Sequence, residues 1–273
     1  MDCDNWDRHW EDYSDISDYN PGVSYRKRIV GRLLEIQPDR AGYRLLELGS
    51  GTGQFAGDFC PRFPMVEFLG LDISQEGVQQ ARRRVSSARF EVCNLLQSVP
   101  DGEIRSFRAT HALCSEVLEH VDDPELLLRN AGPALAPGCR LVVTVPGGPM
   151  TAFDHHIGHR KHYSPGELRA VLEVAGYEVE MVRGFGFPFY NLYRIALLSR
   201  GSSLVGMVSG EPSWLIRTGY HLFDRLCRLN LDRGGWQTVG IARWPHPPVG
   251  DRIDRDDAVP EQNRSVEHLH PSL

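Results

Sequence analysis

Apolar positions along the chain gather into short runs, and the stretches between them carry apolar residues at helical spacing. That alternation predicts an α/β fold in which a mostly parallel sheet is covered by helices on both faces. Seven runs read as strands: "YRLLELG", "VEFLGLDI", "ARFEVCNL", "ATHALCS", "RLVVTVP", "YEVEMVRGF" and "WQTVGIARW". One helix is expected from "NPG", Asn20 to Gly22, through "VSYRKRIVGRLLEI". A second runs from Pro124, behind Asp122 and Asp123 as caps, to Leu135, after which "APGCR" turns into the next strand. The last two strands stand apart, because a long stretch rich in aromatics and leucines at helical spacing separates them. The pattern therefore predicts an N-terminal helical cap over residues 1–40 and a main domain over 41–245. Within that domain, 187–233 is expected to be a helical insertion. Residues 246–273 lack apolar periodicity and are expected to be a disordered tail.

Composition narrows the class. At 273 residues, 41% hydrophobic and 24% charged, the chain suits one large domain. No apolar run approaches the ~20 residues that span a bilayer, so no integral membrane segment is expected. The opening "MDCDNWDRHWED" is acidic and aromatic, unlike a signal or transit peptide, and a cytoplasmic location is the expectation. Cys3, Cys60, Cys93, Cys114, Cys139 and Cys227 form no CxxC pair, which suits reduced thiols. A net charge of -6 argues against a nucleic-acid surface and favours a small-molecule partner. The oligomeric state is left open.

Chemistry begins at "LLELGSGTGQF", Leu45 to Phe55. Gly49, Gly51 and Gly53 allow a sharp turn and let the backbone approach a ligand with no Cβ in the way. The spacing is ExGxGxG, and Gln54 stands where a dinucleotide fingerprint wants glycine or alanine, which disfavours a nicotinamide-dependent reductase. Nineteen residues after Gly53, "LDIS" places Asp72 at a strand end, where a carboxylate can accept both hydroxyls of a ribose. The bland alternative is a tight turn followed by Asp72 as a helix cap.

At these residues the chain resembles the class I S-adenosylmethionine-dependent methyltransferases, over roughly residues 43–244. The resemblance implies a Rossmann-like seven-stranded sheet with a reversed final hairpin, and S-adenosyl-L-methionine as cofactor. It implies Glu47 near the methionine end, with Gly49, Ser50, Gly51 and Gly53 beneath the cofactor and Asp72 and Ile73 at the ribose. The family's third motif offers an aspartate to the adenine amino group; here Asn94 stands there, followed by Leu95, and an amide oxygen can accept the same hydrogen bond. Cys114 and Ser115, ending the fourth strand, complete the implied cofactor set.

The reaction implied is in-line displacement at a sulfonium methyl, where the enzyme mainly aligns the acceptor and excludes water. An oxygen acceptor must also lose a proton, so a base or metal beside it helps; an amine need only be neutral. Two clusters offer such groups. "SEVLEHV" carries Glu116, Glu119 and His120 on one face of any helical turn, and "FDHHIGHRKHYSPGEL" carries His155, His156, His159 and His162. "ExxEH" resembles the metal site of ubiquinone-type catechol O-methyltransferases and of small-RNA ribose methyltransferases. That likeness implies Glu116, Glu119 and His120 as ligands of magnesium, manganese or zinc, joined by His159 or His156. The pattern equally suits packing around the cofactor without metal, with His120, His156, His159 and Glu119 as candidate catalytic groups.

The expected function is O-methylation of a small hydroxylated molecule such as a phenol, polyketide, sugar or lipid-linked intermediate. N-methylation of a small amine or amino sugar is an alternative, as is a non-catalytic cofactor-binding scaffold. The insertion's Phe187, Phe189, Tyr190, Tyr193, Trp214, Tyr220 and Phe223 suggest an apolar lid over the acceptor. Arg194, Arg200, Arg217, Arg225 and Arg228 on it are either solvated or face a membrane surface.

Overall fold

A computed structural model describes residues 6–13, 21–200 and 214–245; the expected tail, 246–273, lies outside the described residues. Two helices lead in, α1 (Trp6–Tyr13) and α2 (Pro21–Leu33). The first half of the sheet follows as β1 (Arg44–Leu48), α3 (Gln54–Phe59), β2 (Glu67–Asp72), α4 (Gln75–Arg84), β3 (Arg89–Val92) and α5 (Gly102–Ser106). The second half is β4 (Ala109–Ser115), α6 (Pro124–Ala131), β5 (Leu135–Pro146), α7 (Ala152–His156), α8 (Pro165–Val174) and β6 (Glu178–Phe185). Helices α9 (Phe189–Arg200) and α10 (Trp214–Cys227) precede β7 (Gln237–Arg243).

The strands lie in the order β3-β2-β1-β4-β5-β7-β6, all parallel except β7, which runs antiparallel to both neighbours. All seven expected strands form. Side chains alternate across the sheet. Leu46 and Leu48 of β1 pack with Leu128, Leu168 and Leu172 of α6 and α8, whereas Leu45 packs with Val30, Phe55, Phe59 and Val78 of α2, α3 and α4. The central strands therefore need apolar residues at consecutive positions, which is why they read as unbroken runs. Strand order reverses between β1 and β4, and at such a switch point the carboxyl ends of the strands leave a crevice for ligands.

Three elements differ from expectation. Helix α6 ends at Ala131, not Leu135, because Gly132 and Pro133 break it into a single 3-10 turn. Strand β5 then starts at Leu135, taking in the "APGCR" expected as a turn, and a register shift against β4 between Ala109 and His111 absorbs the irregularity. The cap contains a separate helix, α1, ahead of the expected one. In the insertion, Phe189, Tyr190, Tyr193 and Phe223 pack with Tyr25 and Ile29 of α2, Phe185 and Val239 in a third core cluster, so much of its aromatic surface is spent on packing.

Candidate active site

β1 ends beneath the glycine-rich turn. The Gly49 and Ser50 amides both donate to the Leu71 carbonyl, at 2.8 and 2.9 Å, which staples the turn to β2. Asp72 finishes the job: its Oδ2 accepts the Gly51 N–H at 2.7 Å and its Oδ1 the Ser74 N–H at 2.9 Å. Ser74 in turn caps α4 by accepting the Gly77 N–H. Asp72 thus shapes the loop as well as closing the strand, and each carboxylate oxygen retains a further lone pair. Gly51 has φ of +49°, and a Cβ there would lie 2.7 Å from the Trp10 ring, so both its conformation and the indole require glycine.

Around this turn several polar atoms are buried without a hydrogen-bond partner: Glu47 Oε2, Ser50 Oγ and Thr52 Oγ1. Burial, followed by the Asp72 charge, pushes the Glu47 pKa well above the usual carboxylate range, against a weaker pull from Lys27. Burial also raises Asp72, outweighing the amides of Ser74 and Gly51. Unspent acceptors and a costly carboxylate beside a glycine cradle suit a ligand with a cationic amine and hydroxyls, which S-adenosylmethionine has. Ile73 is exposed beside Asp72. The Asn94 side-chain oxygen already accepts the Leu96 N–H at 3.0 Å and has a second lone pair, while Leu95 is buried. Cys114 is fully buried, its thiol pKa raised by that burial, and the Ser115 hydroxyl meets that of Thr144 at 2.8 Å.

The other half of the crevice starts where β4 stops. Glu116 adopts φ of +57°, costly for a residue with a side chain, and its N–H is held by the Thr144 carbonyl at 2.8 Å. Its Oε1 accepts from Thr144 Oγ1 at 3.1 Å and Gln237 Nε2 at 2.8 Å, while Oε2 lies 3.6 Å from Arg26. Gln237 is fully buried and takes the Tyr190 hydroxyl at 2.8 Å. A 3-10 turn over Leu118–His120 then brings Glu119 into full burial with neither oxygen hydrogen-bonded. Burial, then the charge of Glu116, holds its pKa well above the usual range.

His120 and His159 meet Glu119 there. His120 Nδ1 lies 3.2 Å from the Gly158 carbonyl, its Nε2 is 4.0 Å from Glu119 Oε1, and its ring meets His159 edge-on at 4.7 Å. One ligand atom from each of Glu119, His120 and His159 falls within 4.8 Å of the others, and Asp154, His159 and His162 form a second such group. Asp154 is taken by Arg194 at 3.1 Å and the Thr151 N–H at 2.8 Å; burial raises its pKa, but Arg194 and that amide lower it below the ordinary value. His159 is pushed down to about 3, by burial first and His120 second, and burial also lowers His162. Both rings are neutral near pH 7.

Of the residues expected here, Glu119, His120 and His159 converge, whereas Glu116 is turned toward Thr144, Gln237 and Arg26. His156 is exposed at the end of α7 and stands outside both groups. Arg194 is largely buried against Asp154, neither solvated nor facing outward. Helix α1, inside the expected cap but with no expected role at the site, spans both halves of the crevice. Trp10 sits on Gly51, Asp7 accepts from Ser74 Oγ at 2.5 Å and the Glu76 N–H at 3.1 Å, and Trp6 packs edge-on against His120 at 4.8 Å. The four-residue spacing of the two tryptophans, one helical turn, was the available signal.

A 3-2-1-4-5-7-6 sheet with a stapled glycine turn after β1 and an acid closing β2 defines the class I methyltransferase architecture. Comparison with known proteins agrees: residues 46–141 match the family described as a methyltransferase domain. Trans-aconitate 2-methyltransferase of Variovorax paradoxus is 30% identical over 134 residues, 47% of this chain and 50% of that enzyme. Ubiquinone biosynthesis O-methyltransferase of Xanthomonas axonopodis is 28% identical over 175 residues, 57% of this chain and 72% of that enzyme. The solved phosphoethanolamine N-methyltransferase 2 of Haemonchus contortus, in complex with S-adenosyl-L-methionine, superposes with a TM-score of 0.56 at 16% identity, over 83% of this chain and 54% of that one. The chain thus spans about half the length of the first relative and of that structure. Residues 46–141 thus carry a methyltransferase domain, and the sheet around it has the class I methyltransferase fold.

Proposed function

We propose that the chain transfers the methyl group of S-adenosylmethionine to a hydroxyl of a small molecule, with Glu119, His120 and His159 holding a divalent metal beside the acceptor. The observation that carries this reading is Glu119. A fully buried carboxylate with neither oxygen hydrogen-bonded is expensive, and it faces two imidazoles within 4.8 Å. One carboxylate and two imidazoles are a donor set for zinc, manganese or magnesium, and a bound ion lowers the pKa of a coordinated hydroxyl. An amine acceptor has no need of that. The name of the Xanthomonas relative, an O-methyltransferase, points the same way.

The chain's own residues have separate tasks in this reading. Glu47 and Asp72 hold the cofactor's amine and ribose, Asn94 and Leu95 its adenine, and the glycine turn its underside. Glu116, braced by Gln237, Thr144 and Arg26, shapes the acceptor cavity from behind. Residues 1–40 act as a cap and 187–233 as a lid on a domain of 41–245, and together they keep water from the sulfonium. The acceptor is a phenol, polyketide, sugar or lipid-linked alcohol rather than a nucleic acid, in keeping with the net charge of -6. Among the described residues no helix is long and apolar enough to cross a membrane.

The test is incubation with methyl-labelled S-adenosylmethionine and a panel of hydroxylated small molecules, before and after dialysis against chelator. A labelled methyl ether that disappears on dialysis and returns with added metal is expected. Full turnover in chelator eliminates the metal, an N-methyl product eliminates the hydroxyl acceptor, and cofactor binding with no labelled product on any acceptor leaves a scaffold.

A further inference from the structure

His159 stands against another histidine of the same loop. His162 Nε2 lies 3.1 Å from His159 Nδ1, and His162 Nδ1 lies 3.1 Å from the Gly148 carbonyl. A carbonyl can only accept, so His162 carries its proton on Nδ1. In a neutral ring the other nitrogen then bears a lone pair, which accepts the proton on His159 Nδ1. That leaves the His159 lone pair on Nε2, the nitrogen available to the Glu119–His120 group. Asp154 does not compete for these protons: its oxygens stand 3.8 Å from His159 and 3.7 Å from His162, beyond hydrogen-bond range, and are engaged by Arg194 and Thr151.

The backbone is built to hold this relay. Gly148 has φ of +73°, and a Cβ there would lie 2.7 Å from the Trp236 ring, so its carbonyl is fixed by a conformation that glycine alone adopts without strain. His120 is secured in the same manner, with Nδ1 on the Gly158 carbonyl at 3.2 Å. One loop after β5 thus supplies a carbonyl for each histidine, directly for His120 and through His162 for His159. Hydrogen bonding at the far ring nitrogen is the general means by which proteins choose which imidazole nitrogen faces a reactive group or metal.

We propose that His162 is a positioning residue: anchored by the Gly148 carbonyl, it fixes His159 as the Nδ1–H tautomer and presents the Nε2 lone pair to Glu119 and His120. The inference rests on the role proposed for that group, but its primary test does not need metal.

Two-bond 1H–15N correlation spectra of the metal-free, full-length protein at neutral pH report which His159 nitrogen is protonated. The expected wild-type result is a protonated Nδ1 and a bare Nε2. His162→Gln should retain it, because an amide can accept from His159 and donate to Gly148. His162→Phe should lose it, giving the Nε2–H form or a mixture. Affinity for Mn2+, titrated separately, should fall about 10- to 100-fold in the Phe variant and recover in the Gln variant, while affinity for S-adenosylhomocysteine stays within about twofold in both. Nε2–H in the wild type, or an unchanged tautomer in His162→Phe, overturns the proposal; the wild-type spectrum decides it even if the Phe variant does not fold. A wild type with the Nδ1–H tautomer but no Mn2+ binding overturns the metal reading and supports the positioning role.

Discussion

The two halves of the crevice are built differently. The cofactor half is local: Glu47, the glycine turn, Asp72 and Ser74 come from one β-α-β unit, and the amides of Gly49, Ser50, Gly51 and Ser74 donate to Leu71 and Asp72 at 2.7 to 2.9 Å. The half proposed to take the acceptor is assembled from distant segments, with Arg26 from α2, Glu116 and Glu119 after β4, Asp154 and His159 after β5, Arg194 from α9 and Gln237 from β7. Backbone amides bind the same atoms whatever the acceptor, so the first half need not change with substrate. Side chains delivered from separate insertions can vary independently, which is where specificity is expected to lie.

Substitutions separate the halves, and the largest effect is expected at Asp72. Asp72→Ala removes a charged acceptor from two loop amides and from the ribose that we propose it holds, each such bond contributing about 1.5 to 3 kcal/mol. Calorimetry should show S-adenosylhomocysteine affinity reduced at least about 100-fold; wild-type affinity would mean that the ribose is held elsewhere. Gly51→Val should come close to it, by collision with Trp10 and a φ that L-residues avoid at a cost of about 1 to 2 kcal/mol. Its signature is a lost thermal shift on adding S-adenosylhomocysteine.

On the acceptor half, His120→Ala should lower turnover by about 100-fold or more, the scale of a general base or metal ligand, while cofactor affinity stays within about twofold. Equal loss of both in calorimetry and kinetics would dissolve the distinction between the halves. Arg194→Met should act more weakly on chemistry. It strands the buried Asp154 carboxylate, so the insertion should become more sensitive to limited proteolysis and KM for the acceptor should rise, with cofactor binding unaffected.

The smallest expected effect has the opposite sign. Burial raises the Glu119 pKa, so ionising it costs folding free energy. That cost is absent below the unfolded carboxylate pKa of about 4.3 and grows as pH rises toward the folded value. Glu119→Gln should therefore raise the Tm of the metal-free protein by a few degrees at pH 7 and by nothing near pH 4. A lower Tm at pH 7 would show that the carboxylate is paired in solution.

This contrast also accounts for what the sequence revealed. Seven strands were legible because a strand buried on both faces must be apolar throughout, and ExGxGxG with Asp72 was legible because its parts are close in sequence. Helix α6 was read too far because Gly132–Pro133 stops a helix by backbone chemistry that the apolar pattern of "PELLLRNAGPALA" conceals. Glu119, His120 and His159 could be suspected from residue type, but not that Glu116 would turn to Gln237, 121 positions away, or that Arg194 would meet Asp154, 40 positions away. Helix α1 left only a tryptophan spacing, since Trp10 lies on Gly51, and a glycine gives no sign of which ring will lie on it.

The roles proposed for the acceptor half all turn on whether Glu119, His120 and His159 hold a metal ion. The most direct test is elemental analysis of wild-type and Glu119→Gln protein after equilibrium dialysis against low micromolar zinc, manganese and magnesium. One divalent ion per wild-type chain is expected, and none above background in the variant. Metal-free wild-type protein, or equal metal in both, would contradict it.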